Sequence, residues 1–335
     1  MRVTMRDVAA YAGVSVKTVS RVVNGEPHIR PETQRQVQEA IATLDWRPNS
    51  AARTLRTGRT GIVGICVAGL RRPFLAAMVE ALVSEIDRRG LRAAVEPTHD
   101  DPERIAQVWA AQGRSFDGVL MVGTPAGFTW HPPRGPVVLV DDGSPLATAE
   151  VDRVDPDRDE AARLIARHLA VMGRSRPAVL GADVLARPAA DGVSAPFAAS
   201  LEAVGIDPSG VHAQLLPLAA DRESGWQAAL SVLESAPETD AMVCTSDEVA
   251  LGALAGLASV GVAVPGRVAV LGYGNLEDGH LSTPTLTTVD PDPAHMARAA
   301  VELLAERMSG RATGPPRRVI TPVNLIRRES TLGGR

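Results

Sequence analysis

Several things are scarce in this 335-residue chain, and each scarcity removes a class of function. There are two cysteines, Cys66 and Cys244, both inside short apolar runs that read as buried strands. No CxxC pair or metal-ligand spacing accompanies them. They read as inert core thiols in a reducing cytoplasm, and no metal or other cofactor is expected. No apolar run reaches the roughly 18 residues that would suggest a membrane span. The opening Met1-Arg2-Val3-Thr4 lacks the apolar segment of a secretory signal. Catalytic signatures are missing too. The chain holds no GxSxG elbow, HExxH pair, GxxxxGK[ST] loop or clean GxGxxG after its first strand, and its seven histidines are dispersed. An enzyme is not expected. Lysine is nearly absent, Lys17 being the only one, and no internal repeat or long low-complexity tract is present.

What is there supports substantial cores: 45% of residues are hydrophobic, over a length that predicts two or three domains. The net charge of −4 conceals an asymmetry. Residues 1–60 carry ten Lys/Arg against five Asp/Glu, and the remainder carries 25 against 34. A basic head on an acidic body concentrates affinity for phosphates at one end.

The head reads as three short helices. Thr4 followed by Asp7 has capping-box spacing, and Met5, Val8, Ala9 and Ala12 form one apolar stripe. Gly13 stands where a helix stop needs positive φ. Ser15 can cap a second helix that turns Val19, Val22 and Val23 inward and leaves Val16, Lys17, Ser20 and Arg21 outward. Pro31 opens a third, with Val37, Ala40, Ile41 and Leu44 on its apolar face. Such an arrangement can hold a helix in a DNA major groove, and it can also be a plain helical hairpin with a solvated face. Residues 49–57 then predict a brief helix capped by Asn49 and ended by Gly58. That is shorter than the roughly 12–15 residues an isolated helix needs, so something else must stabilise it.

The strings Val8-Ala9, Ala12-Gly13-Val14-Ser15 and Thr18-Val19-Ser20-Arg21-Val22-Val23-Asn24 closely resemble the headpiece of the LacI/GalR family of bacterial transcription regulators. Trp46-Arg47-Pro48-Asn49 with Ala52-Arg53-Thr54-Leu55-Arg56-Thr57-Gly58 resembles that family's hinge, and the likeness continues to Arg327-Arg328-Glu329-Ser330-Thr331. The resemblance implies an all-α headpiece at 1–48, a hinge helix and linker at 49–60, and an effector-binding and dimerisation domain at 61–335. It implies that Val16, Lys17 and Arg21 face base edges, Val16 by apolar contact with a thymine methyl. Thr4, Ser15, Thr18, Ser20, Asn24 and His28 would meet phosphates. Asn49 would cap a hinge that folds on the operator, with Arg53 and Arg56 flanking Leu55 as a minor-groove wedge. The alternative for the hinge is an ordinary linker whose Leu55 packs on the body.

From Gly61 the pattern alternates apolar strands with amphipathic helices. Strands are predicted at Ile62–Val67, Gly118–Val122, Val137–Val140, Ala178–Gly181, Ala241–Cys244 and Val268–Leu271. This alternation is that of a doubly wound α/β body with parallel sheets. One subdomain is expected near 61–155 plus a late segment, the other near 160–285. The resemblance adds that the two form a periplasmic-binding-protein-like body of two lobes with a ligand cleft between them.

In such sheets ligands bind at the carboxyl ends of strands. Arg71-Arg72-Pro73-Phe74 is similar to a family Asn-Pro-Phe turn, with Arg72 in place of asparagine. Ser246-Asp247 is similar to an Asn-Asp pair, and Gly272-Tyr273-Gly274-Asn275 to a turn whose aspartate is here Gly274. Val193-Ser194-Ala195-Pro196-Phe197 lacks the arginine of the corresponding family stretch. A site that loses its hydroxyl-binding groups changes ligand, so an ordinary monosaccharide is not expected. The candidate effector contacts are Arg72, Phe74, Trp130, Ser246, Asp247 and Asn275, with Trp226 as a further wall. Arg72 reads either as an anion contact or as a solvated loop charge, and Phe74 either as a stacking wall or as lobe core.

The expected function is therefore a sequence-specific, ligand-responsive repressor binding a near-palindromic operator as a homodimer. No heptad helix follows the final strand, which favours a dimer over a tetramer. The competing class is a small-molecule binding protein with no role on DNA.

Overall fold

A computed structural model describes residues 3–23, 26, 28–46, 58–123, 133–140, 151–181, 194–214, 216 and 221–332. The chain divides into two compact units, Met1–Gly61 with Gly113–Ser115, and Ile62–Gln112 with Phe116–Arg335.

The first unit holds α1 (Met5–Tyr11), α2 (Val16–Val23) and α3 (Pro31–Thr43). Asp7 closes the start of α1, its Oδ2 accepting from the Thr4 backbone N–H and the Thr4 hydroxyl, both at 2.8 Å. Those two bonds hold the Asp7 carboxyl below the usual carboxylate range. Gly13 turns the chain at φ +66°, and Ser15 Oγ accepts the Thr18 N–H at 3.1 Å to start α2. Val8, Ala9, Val19, Val22, Val37, Ala40 and Trp46 form the core, with Ile41 and Leu44 packed at its margin. Each buried valine contributes about 1.5–3 kcal/mol, enough in sum to fix three short helices that would not persist singly.

The second unit is two lobes, each built on a six-stranded sheet. The first sheet runs β11-β5-β4-β3-β1-β2, from β1 (Ile62–Val67), β2 (Arg92–Pro97), β3 (Gly118–Val122), β4 (Val137–Val140), β5 (Asp152–Pro156) and β11 (Arg318–Thr321), every pairing parallel. Helices α4 (Pro73–Arg88) and α11 (Pro293–Ser309) pack on one face through Met78, Leu82, Ile86, Met296, Ala300 and Leu304. Helix α5 (Pro102–Ala111) covers the other through Ile105, Val108 and Trp109.

The second sheet runs β12-β10-β9-β8-β6-β7, from β6 (Pro177–Leu180), β7 (His212–Gln214), β8 (Ala241–Cys244), β9 (Ala269–Tyr273), β10 (Thr287–Asp290) and β12 (Asn324–Ile326). Helices α6 (Arg158–Val171) and α7 (Ala195–Glu202) cover one face, and α8 (Arg222–Ser235) and α9 (Asp247–Ser259) the other. Two short helices, α10 (Asp278–Leu281) and α12 (Glu329–Leu332), complete the lobe.

The chain passes between lobes at 156–158, 290–293 and 321–324. These crossings explain the antiparallel pairing of β10 with β12, the single one among the described residues. Strand β10 ends at a crossing whereas β12 begins at one, so they run in opposite directions. Strands β5 and β11 both end at crossings and are parallel. The second lobe therefore extends to Asp290 and takes back the 324–332 segment, beyond the end near 285 expected from sequence. Both cysteines are buried strand residues, and burial pushes their thiols up, Cys66 to about 12. No helix among the described residues is long and apolar enough to cross a membrane.

Candidate nucleic-acid interface and ligand cleft

Helix α2 has two unlike faces. Val19 and Val22 are buried, while Val16 is 41% exposed and Lys17 is exposed beside it. Thr18, Ser20 and Arg21 are half-buried on the flank. The Arg21 guanidinium is held by Glu26, with Nε donating to Oε2 at 2.9 Å. Three hydroxyls expected to meet phosphates bond within the headpiece: Thr4 donates to Asp7, and Ser15 Oγ lies 2.8 Å from Thr18 Oγ1. His28, also expected at a phosphate, is exposed in the α2–α3 connection at φ +68°. Asn24 and the hinge residues Asn49, Arg53, Leu55 and Arg56 lie outside the described residues, as does Trp130.

In the body, the candidate ligand residues follow strand ends as α/β topology requires. Arg72 is the N-cap residue of α4, just beyond β1, and Phe74 sits in the first turn. Arg72 Nε is buried with no hydrogen-bond partner among the described residues. Phe74 packs against the first-lobe core, and its ring also reaches the second lobe. A Cβ placed on Gly274 would lie 3.4 Å from Phe74 Cδ2. Gly274 has φ +128°, a conformation closed to most side chains, so the loop as folded does not accommodate an aspartate there without strain.

The second lobe contributes the start of α9. Ser246 caps it, Oγ accepting the Val249 N–H at 3.2 Å. Asp247 is 0% exposed and both oxygens are engaged, Oδ1 with the Thr288 hydroxyl at 2.6 Å and Oδ2 with the Leu276 N–H at 2.7 Å. Burial outweighs those bonds and the Arg328 charge, pushing this carboxyl up to about 6. Asp247 thus pins the β9–α10 loop from beneath. Asn275 braces the same loop: its side chain donates to Asp290 Oδ2 at 2.9 Å and accepts from Arg328 Nη2 at 2.8 Å. Arg328 also donates to the Leu286 carbonyl at 2.6 Å, tying the segment ahead of α12 to the residue just before β10.

The sequence reading did not single out Glu248, next to Asp247. It is half-buried, and burial raises its carboxyl against the opposing pull of Arg72 from the first lobe and of Arg222. The available signal was its place in the first turn of a helix at a strand's carboxyl end. Trp226 stands elsewhere, lining a groove of about 630 Å³ with Arg222, Leu251, Ala255, Asp278 and Leu281.

A headpiece with one exposed polar helix face, joined to a two-lobed α/β body, matches known proteins in both parts. Residues 4–49 match the model for bacterial regulatory proteins of the lacI family, and residues 166–331 match a periplasmic binding protein-like domain. The HTH-type transcriptional regulator CelR of Thermobifida fusca is 30% identical over 348 residues, covering 98% of each chain. The chain belongs to the LacI family. It is a DNA-binding transcription regulator of the ligand-responsive repressor type. The fold extends to solved family members along the whole length. The lac repressor dimer bound to operator and an anti-inducer aligns over 99% of both chains with a TM-score of 0.76 and 25% identity. A CelR–cellobiose complex aligns over 98% of this chain and all of that one, with a TM-score of 0.66 and 29% identity.

Proposed function

We propose that this LacI-family regulator binds a near-palindromic operator as a homodimer, α2 entering the major groove and Val16, Lys17 and Arg21 meeting base edges. The observation that carries this is the two-faced α2, whose exposed side holds the chain's only lysine and whose inner side is locked by valines. Two-fold symmetry of the protein requires two-fold symmetry in its site. Leu55 is assigned as the minor-groove wedge, with Arg53 and Arg56 on either side, Asn49 capping their helix, and Asn24 and His28 at phosphates. Selection of a random duplex library on purified protein at fixed salt tests the reading. It should return two half-sites related by a dyad around an easily opened central step; enrichment without any motif would reject it.

The second copy is assigned to the groove between α8, α9 and α10. Leu281 there is 78% exposed beside Trp226, Leu251 and Ala255. Arg222 is paired with Asp278 at the groove's rim, giving an apolar centre with a polar edge.

For the effector we infer a small ligand carrying an anionic group. A buried Arg72 Nε that has no acceptor among the described residues is the supporting observation, since such a donor costs about 1–3 kcal/mol until it is met. Phe74 and Ser246 complete the contacts assigned to it, and Trp130 is assigned as a further wall. Asp247 and Asn275 act beneath the site, holding the β9–α10 loop. The solved CelR complex contains cellobiose. Cellobiose has no charge for Arg72, so a different ligand class is proposed here.

A further inference from the structure

An acidic residue stands just beyond the reading helix. Glu26 follows α2 in the connection to α3, and its Oε2 accepts Nε–H of Arg21 at 2.9 Å. Both side chains are partly open to solvent, at 41% for Arg21 and 47% for Glu26. A carboxylate on a DNA-facing surface repels every phosphate alike, so it weakens binding to any sequence.

We propose that Glu26 is a specificity-determining positioning residue: it fixes the Arg21 guanidinium for one guanine, while its charge lowers affinity for DNA of any sequence. The inference rests on the assignment of Arg21 to a base edge. An arginine can meet guanine O6 and N7 side-on through Nε and one Nη, or end-on through both Nη atoms. Engaging Nε with Glu26 removes the side-on choice. It also limits rotation about the last side-chain bonds, so less freedom is lost when the base contact forms. Arg21 lies in the last turn of α2, where the helix dipole does not repel its charge. The pair is therefore a local clamp between residues five apart in the chain. Its negative charge lowers affinity for every sequence alike and leaves the ratio of affinities to the Arg21 clamp.

The test separates the two contributions. The probes are the duplex selected by the wild-type protein, its single base-pair variants and a scrambled duplex of equal length. Each is titrated with full-length protein across a range of salt. Glu26→Gln keeps an oxygen that can accept Nε–H and removes the charge. It should bind the scrambled duplex several-fold more tightly, steepen the salt dependence by about one ion per headpiece, and keep the guanine preference. Glu26→Ala should show the same gain on scrambled DNA and lose roughly tenfold discrimination at a single symmetric pair of guanines. Loss spread evenly over all positions, or an unchanged guanine preference in Glu26→Ala, would overturn the proposal. Equal loss of discrimination in the Gln and Ala variants would overturn the acceptor role. Arg21→Ala checks the underlying assignment independently, since it should abolish the same guanine preference. If it leaves every position unchanged, the Arg21 assignment falls and the clamp with it.

Discussion

Replacing Arg307 with methionine should destabilise the first lobe sharply, and the surrounding geometry sets the size of the effect. Arg307, near the end of α11, binds Asp152 of β5 through Nε at 2.9 Å and Nη2 at 2.8 Å. The Asp152 side chain is fully buried, with one further bond from the Arg317 N–H at 2.7 Å and the Arg317 guanidinium at 3.7 Å. Burial pushes the Asp152 carboxyl upward, but the bonds and charges of Arg307 and Arg317 more than reverse this and leave it below the usual range. Breaking a buried pair from one side costs about 3–5 kcal/mol, because the remaining charge is stranded. The Arg317 contacts keep the expected value near the lower end, about 3 kcal/mol. For a body of this size that corresponds to a fall in Tm on the order of 10 °C. The sign with pH is also fixed. A depressed carboxyl contributes stability above its unfolded pKa and loses it as pH falls through the folded value. The gap between wild type and Arg307→Met should therefore be widest near neutrality and shrink in acid. Urea unfolding from pH 3.5 to 7.5 measures it, with Asp152→Asn/Arg307→Met as the paired control that removes the stranded charge. A single variant within 1 kcal/mol of wild type at pH 7.5, or a double variant no better than the single, would refute the reasoning.

Asp247 should behave in the opposite sense, since its folded pKa is raised to about 6. Its stability contribution is fullest below the unfolded carboxylate pKa and declines as pH rises toward about 6. Asp247→Asn should thus gain on wild type between pH 4 and 7, by up to about 3 kcal/mol; parallel urea midpoints across that range would contradict it. Leu281→Asp should convert a sedimenting dimer into monomers while leaving the thermal transition of the body within a few degrees, and a dimer of unchanged stability would move the interface elsewhere. Arg72→Ala should weaken by tenfold or more any sugar phosphate or dicarboxylate that raises the wild-type Tm. Unchanged affinity would return Arg72 to a solvated loop charge.

The strands legible in the sequence were those buried on both faces. Ile62–Val67, Gly118–Val122, Val137–Val140 and Ala241–Cys244 are continuous apolar runs, and the structure has the same bounds. Strand β5 was missed because Asp152, Arg153 and Asp155 break its apolar run. Those carboxylates are matched by Arg307, Arg317 and Arg318, which arrive more than 150 residues later and so give no local signal. Strand β10 was missed because threonine hydroxyls replace methyl groups, with Thr287 and Thr288 bonded to Arg328 and Asp247. The helix-turn-helix was fully readable because its caps, turn and stripe lie within twenty residues. The cleft was readable only as positions. That Ser246 caps a helix, that Asp247 is sealed beneath a loop and that Glu248 lies beside them depends on how α9 enters the sheet.

The central claim is that the exposed face of α2 reads sequence, and it is tested most directly by changing that face and watching the selected motif. Random duplex selection would be run in parallel on wild-type protein and on Val16→Asn, which exchanges an apolar contact for an amide that favours adenine. The account predicts the same dyad-related site with preference changed at one symmetric pair of positions, thymine giving way to another base. An identical motif from both proteins, or uniform loss of enrichment with no positional change, would contradict it.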